Sequence, residues 1–165
     1  GGALIDKLAQ SGNPLAVKLP RPLLHDGTLA LSFSGLKTAV LTHLKKQPAL
    51  PQGQELHDFC ASFQAAVCEV LVKKTVAALQ QEGLTRLVVG GGVACNSGLR
   101  VSLQKMSDQR GVELHLAPSK LCGDNAAMLA VAGDAYLSAG CHDDLAMDAV
   151  ATWPLDQVAR WKSLP

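Results

Sequence analysis

The stretch Arg86–Arg100, RLVVGGGVACNSGLR, sets Gly90, Gly91 and Gly92 between a short apolar run and a helix-like segment. Glycines so placed leave backbone N–H groups uncovered and put the positive end of a helix dipole beside a chain that a ligand can approach closely. The spacing matches neither G-x-G-x-x-G nor G-x-x-x-x-G-K-[ST], so neither the dinucleotide nor the P-loop fingerprint is present. From the residues alone, a ligand cradle and a close-packed turn stand level. Asn96 carries a carboxamide able to hydrogen-bond a sugar or a base, and it also stands where a helix cap belongs, which is the default use. Asp124 precedes an apolar, helix-like run; a carboxylate there caps the helix or holds a metal or a hydroxyl, and capping is the commoner use.

Other reactive side chains assemble less. No two of the five histidines, His25, His43, His57, His115 and His142, fall three, four or five apart on one helix, so no local metal motif forms. Cys141-His142-Asp143 lies in a polar connection without a nucleophile elbow. Lys37, Lys45 and Lys46 share one predicted helix, with Arg21 the nearest guanidinium in sequence, and read as a solvated face.

These residues need elements to position them, and the chain supplies an alternation of helix and strand. A short amphipathic helix is predicted over Ala3–Gln10, ended by Ser11-Gly12-Asn13-Pro14. LPRPLLHDGTLALSFSG follows and reads as extended; LKTAVLTHLKK then places Leu36, Val40, Leu41 and Leu44 at helical spacing before Pro48 and Pro51. The longest periodic run begins near Glu55, with Phe59, Phe63, Ala66, Val67 and Val70 predicting one buried face and Gly83 the C-terminal cap. Strands are predicted at 86–89 and 112–116, joined by the glycine turn and a helix over about 96–109. In LCGDNAAMLAVAGDAYLSAG, residues Met128, Leu129, Val131, Tyr136 and Leu137 predict another buried helix, ending at Gly140. The reading is an α/β domain over 1–140 followed by an irregular tail, 141–165.

The 165 residues suit one ordinary domain, and 48% hydrophobic with 18% charged residues is a globular balance without a disordered signature. No apolar run reaches the roughly 18 residues of a membrane span. Fifteen basic against fourteen acidic side chains, net charge +1, neither demand nor exclude a nucleic acid partner. Five cysteines, an odd number with no C-x-x-C pair, predict a reducing interior and hence a cytoplasmic protein. The opening Gly1-Gly2 reads as mid-sequence, predicting a piece of a longer protein.

Taken together and in order, Gly1-Gly2, LPRP, SFSGLKTAV, VVGGGVACNSGLR, LCGDNAAMLAVAG and Trp153-Pro154-Leu155 resemble the C-terminal half of the tRNA adenosine threonylcarbamoyltransferase family (TsaD), formerly called O-sialoglycoprotein endopeptidases. The resemblance implies the fold of actin, sugar kinases and heat-shock chaperone ATPases (the ASKHA fold), two ribonuclease-H-like lobes facing a nucleotide cleft, with this chain a helix-rich C-terminal portion. It implies transfer of threonylcarbamoyl from threonylcarbamoyl-adenylate to the exocyclic amine of the tRNA adenosine beside the anticodon. It also implies a related ASKHA-fold subunit and a small ATPase as partners, and no membrane.

Residue by residue, Gly90, Gly91, Gly92 and Asn96 resemble the family's nucleotide-contacting turn, which tips the balance toward a cradle. Gly2 resembles the second glycine of the P-G-G segment that lies against the adenylate. Asp124 resembles the metal-binding aspartate of the C-T-D-N motif, and the implied divalent metal, iron or zinc, would act as Lewis acid and template. Two departures stand out. Gly123 replaces the usual threonine, and the family's H-x-x-x-H metal ligands have no counterpart in these residues, so this chain is expected not to complete the site or to act alone. No residue is assigned as catalytic. The rival reading is a non-catalytic module that binds an adenine nucleotide or a partner; the old peptidase label ranks low, because no nucleophile stands at suggestive spacing from a base.

Overall fold

The computed structural model describes residues 1–142, 144–146, 148, 150–152 and 154. Asp143, Trp153 and Leu155, which the sequence reading singled out, lie outside the described residues. The chain divides into two compact units, Gly1–Gly123 and a second beginning at Asp124.

In the first unit the chain forms α1 (Gly2–Ala9), α2 (Ser34–Lys46), α3 (Gly53–Glu82), β1 (Arg86–Val89), α4 (Ser97–Arg110) and β2 (Glu113–Leu116). A short 3-10 turn, Gly92–Cys95, stands between β1 and α4. The two strands pair in parallel, Arg86 opposite Glu113 and Val89 opposite Leu116. Their side chains alternate as the pleat requires: Leu87, Val89, Leu114 and Leu116 pack on the core, while Arg86, Val88, Glu113 and His115 are exposed. Arg86 Nε meets Glu113 at 2.8 Å across the pair and holds that carboxyl below the usual range.

The 30-residue α3 is the spine of this unit. One cluster sets Cys68 and Leu79 against Leu99, Leu103 and Met106 of α4 and the inner faces of both strands. A second packs Ile5, Leu8 and Ala9 of α1 on Leu56, Cys60 and Ala61. A third packs Leu19, Leu36 and Val40 on Phe63, Ala66 and Val67. Periodicity predicted one buried face on α3; neighbours in fact approach it from several directions, so Ala66 and Val70 are wholly inaccessible. Its stop follows from Gly83, whose left-handed conformation (φ 63°) lets Leu84 N–H reach back to the carbonyl of Leu79 at 2.9 Å. Gly12 is required for a different reason: a Cβ there would strike the backbone of His57 in α3.

The segment read as extended turns in its middle, at residues 22–28, where polar ties fold it onto α3. Arg21 Nε pairs with Glu69 (2.9 Å), and the buried ammonium of Lys74 binds Asp26 (2.6 Å) and the carbonyl of Thr28. Asp26 further accepts from Thr28 N–H and Oγ1, a short-range turn closure. These ties also take Arg21 away from Lys37, Lys45 and Lys46, which are exposed on α2.

The second unit holds α5, Ala126–Ser138, closed by Gly140 with Cys141 N–H donating to the carbonyl of Tyr136 at 2.9 Å. The expected burial of this helix is corrected: α5 buries none of its residues, and Leu129 and Val131 are 71% and 72% exposed. Periodicity reports that a helix has an apolar face, not that something covers it, and this unit offers no other helix or strand among the described residues. No helix among the described residues is long and apolar enough to cross a membrane.

Candidate functional site

The glycine turn lies where β1 ends. Gly91 adopts φ 89°, ψ 168°, a conformation only glycine takes readily, and swings the chain into the 3-10 turn. Gly90 and Gly92 have ordinary backbones, and a Cβ would meet only Ala117 at 3.9 Å above Gly90 and nothing above Gly92. Backbone conformation therefore accounts for glycine at Gly91, and neither conformation nor packing accounts for it at Gly90 and Gly92. Arg100 braces the turn from behind, donating from Nε to the carbonyl of Ala94 and from Nη2 to that of Ala117, both at 2.6 Å, so the loops following β1 and β2 are tied together.

A 3-10 turn that opens at Gly92 stands between Gly90, Gly91 and α4, and two of the first amides of α4, those of Ser97 and Leu99, already have partners. Ser97 donates from N–H and Oγ to the carboxylate of Asp6 (3.1 and 2.7 Å), and Leu99 N–H donates to Asn96 Oδ1 at 2.8 Å. Asp6 thus supplies a carboxylate at the positive end of α4. The same contact fixes α1, and with it Gly2, against the start of α4.

That placement creates a pocket of about 90 Å³ in which Gly2, Ile5, Phe63, Val67, Val93 and Asn96 meet. Gly2 and Asn96, singled out separately in the sequence, line one hollow; Gly90, Gly91 and Gly92 lie outside its lining. The walls are almost wholly apolar, with the carboxamides of Asn96 and Gln64 as the polar edge. Whole ligand sites are generally some 300–1,000 Å³, so this hollow is too small to enclose a nucleotide by itself.

The state of Asn96 is well determined. A backbone N–H can only donate, so Leu99 N–H fixes Oδ1 as the atom facing it. Cys68 Sγ donates to the same oxygen at 3.8 Å; burial, with the Asp6 charge behind it, raises this thiol to about 11 and keeps it protonated. Asn96 Nδ2 then donates to Gln64 Oε1 at 2.7 Å. Asn96 is thus both the cap of α4 and a pocket residue, and the two readings of it are compatible.

Asp124 opens the second unit and is exposed. Of the two uses weighed for it, capping falls away, since Asn125 caps α5, its Oδ1 accepting from Met128 N–H at 3.0 Å. No group of three or more histidine, cysteine, aspartate or glutamate side chains able to share a metal occurs among the described residues. Sequence reasoning passed over Asp6, Gln64 and Arg100, whose partners lie 91, 32 and up to 22 positions away. Only Arg100 carried any signal, as the last residue of the glycine segment.

The first unit is therefore an α/β domain with a small apolar, amide-edged pocket near the carboxyl end of a parallel strand, a place where α/β proteins take up ligands. The profile of the TsaD family, tRNA N6-adenosine threonylcarbamoyltransferase, matches residues 1–131. A relative of that name from Trichlorobacter lovleyi is 78% identical over 165 residues, 100% of this chain and 48% of the relative. Those from Geobacter sulfurreducens and Geobacter metallireducens are 58% and 56% identical over 156 and 158 residues, 94% and 96% of this chain and 46% of each relative. The chain belongs to the tRNA N6-adenosine threonylcarbamoyltransferase family. It spans about half the length of the curated relatives it matches.

Proposed function

We propose that this chain supplies the nucleoside-holding wall of a threonylcarbamoyltransferase site, binding the adenosine part of threonylcarbamoyl-adenylate. The observation that carries the reading is the meeting of Gly2 and Asn96, 94 positions apart, in one apolar pocket. An aromatic base suits such walls, and the Asp6 carboxylate already stands at Ser97 where α4 begins. Gly90 and Gly92, bare for no internal reason, offer backbone to which a ligand can come close.

In the transfer, the exocyclic amine of the tRNA adenosine forms a C–N bond to the threonylcarbamoyl carbonyl carbon. The C–O bond from that carbon to the adenylate phosphate oxygen breaks, AMP leaves with the electron pair, and the amine gives up one proton to AMP or to water. The residues of this chain hold and orient the leaving nucleotide, reducing the entropy lost in reaching the transition state. Asp124, exposed and released from capping by Asn125, fits as a single carboxylate donor to a divalent metal, iron or zinc, whose other ligands lie outside the described residues. Bound there, the metal would supply Lewis-acid polarisation. The same reading takes the α/β unit as part of an ASKHA-type lobe and places the protein in the cytoplasm, with tRNA, a related ASKHA-fold subunit and a small ATPase as partners.

Calorimetric titration of this chain with AMP tests the proposal. Saturable binding that Asn96→Ala weakens about tenfold is expected, the loss of one well-placed donor and its support. No binding, or binding indifferent to Asn96→Ala, contradicts it.

A further inference from the structure

Gln64 belongs to none of the motifs that carry the family resemblance, yet it lines two hollows of the first unit: the proposed nucleoside pocket and a more open one of about 380 Å³. Its role follows from a chain of donors and acceptors with one possible direction. Leu99 N–H donates to Asn96 Oδ1 at 2.8 Å and the weaker thiol donor Cys68 Sγ faces the same oxygen at 3.8 Å. The oxygen of Asn96 is thus turned to the protein, and Nδ2–H is the group it offers a ligand. One Nδ2 hydrogen goes to Gln64 Oε1 at 2.7 Å, which leaves a single donor and fixes the plane in which it lies. Gln64 Nε2 is in turn directed to Gly98, where a Cβ would stand 2.5 Å from Nε2 and 3.1 Å from Cδ.

A glycine in the first turn of α4 thus has a reason. It clears the path along which Gln64 reaches Asn96. Gly98 has no left-handed φ that would otherwise demand glycine. The atom that a Cβ would displace is the tip of a flexible side chain, so an alanine there can be accommodated by moving Gln64 rather than by disturbing the helix.

We propose that Gln64 is a positioning residue for the nucleoside site, with Gly98 making room for it, and that together they lock Asn96 as a hydrogen-bond donor aimed at an acceptor atom of the nucleoside. The inference rests on the reading of the pocket given above. It adds that recognition there is by donation: an acceptor such as a ring nitrogen or a ribose oxygen is what the pocket selects.

The test is AMP titration of this chain with Gln64→Leu, Gln64→Glu and Gly98→Ala, each with its thermal midpoint and the Asn96 carboxamide signals in a ¹⁵N spectrum. Gln64→Leu removes the acceptor and Gly98→Ala pushes it aside; both are expected to weaken AMP binding about fivefold to tenfold. Gln64→Glu keeps an acceptor oxygen at the same reach and is expected to stay within about twofold. Gly98→Ala should leave the thermal midpoint unlowered while shifting the Asn96 Nδ2 resonances and speeding their exchange; because its Cβ would also stand 3.4 Å from Asn96 Oδ1, Gln64→Leu, which adds nothing beside that oxygen, must show the same faster exchange. If Asn96→Ala weakens binding while Gln64→Leu and Gly98→Ala do not, the positioning role is overturned and the pocket reading stands. Unmoved Asn96 carboxamide signals in Gly98→Ala would likewise overturn it. If the parent chain does not bind AMP, the pocket reading fails and the positioning role falls with it.

Discussion

Helices α4 and α5 begin alike and end up in opposite circumstances. Asn96 and Asn125 each turn a carboxamide oxygen onto the amide three residues along, Leu99 at 2.8 Å and Met128 at 3.0 Å. Behind its cap, α4 buries Leu99, Leu103 and Met106 against α3 and both strands, whereas α5 buries nothing. A cap is local chemistry and sits in the sequence as one asparagine. What a helix then contributes depends on whether the topology delivers a partner to its apolar face. At α4 the partner is α3, which brings Gln64 and Cys68 to the cap and turns an ordinary helix start into the edge of a pocket.

The contrast is broken most readily through apolar burial. Leu103→Ala should cost about 3 kcal/mol in denaturant unfolding, because it removes a fully packed side chain and leaves a cavity. Leu129→Ala, at a position 71% exposed, should stay within about 0.5 kcal/mol. A comparable cost at both would show that α5 has a packed face of its own. The caps provide a finer test. Asn96→Ala removes the α4 cap and strands a half-buried Gln64 oxygen, so about 2 kcal/mol is expected, against about 1 kcal/mol or less for Asn125→Ala. Equal losses would mean that Gln64 adds nothing to the Asn96 cap.

The smallest effect belongs to the turns at 22–28, which are held by polar ties where α4 is held by burial. The hydrogen bond from Lys74, assisted by those from Thr28, lowers Asp26 from its ordinary 3.8 to about 2. A depressed carboxyl stabilises the fold above its unfolded pKa and loses that contribution as pH falls through the folded one. Parent and Asp26→Asn should therefore differ by a constant amount above about pH 5 and converge as pH falls towards 2. A difference that persists at the acid end would assign the effect to shape, not to charge.

Much of the scaffold was legible in the sequence because it is local. The three-and-four spacing from Leu56 to Leu71, the stop at Gly83 and the strand at 86–89 all follow from period and turn chemistry. The burial of α5 was not legible, since an apolar stripe looks the same covered or bare. Nor were the turns at 22–28, because Arg21 and Asp26 find Glu69 and Lys74 some 48 residues away. The site divides in the same way. Gly91 and Asn96 announce themselves by residue type, whereas Asp6 and Gln64 act through partners that no spacing reveals. Asp6 in particular places a carboxylate at the start of α4, where its hydrogen bonds to Ser97 join two segments 91 positions apart.

The most direct test of the nucleoside-wall assignment is a map of backbone amide shifts in the ¹⁵N-labelled chain as AMP is added. The account predicts progressive, saturable changes at Gly2, Val93, Asn96 and Leu99, with α5 unmoved from Ala126 to Ser138. Changes centred on α5 or on the lysines of α2, with those four amides silent, would contradict it.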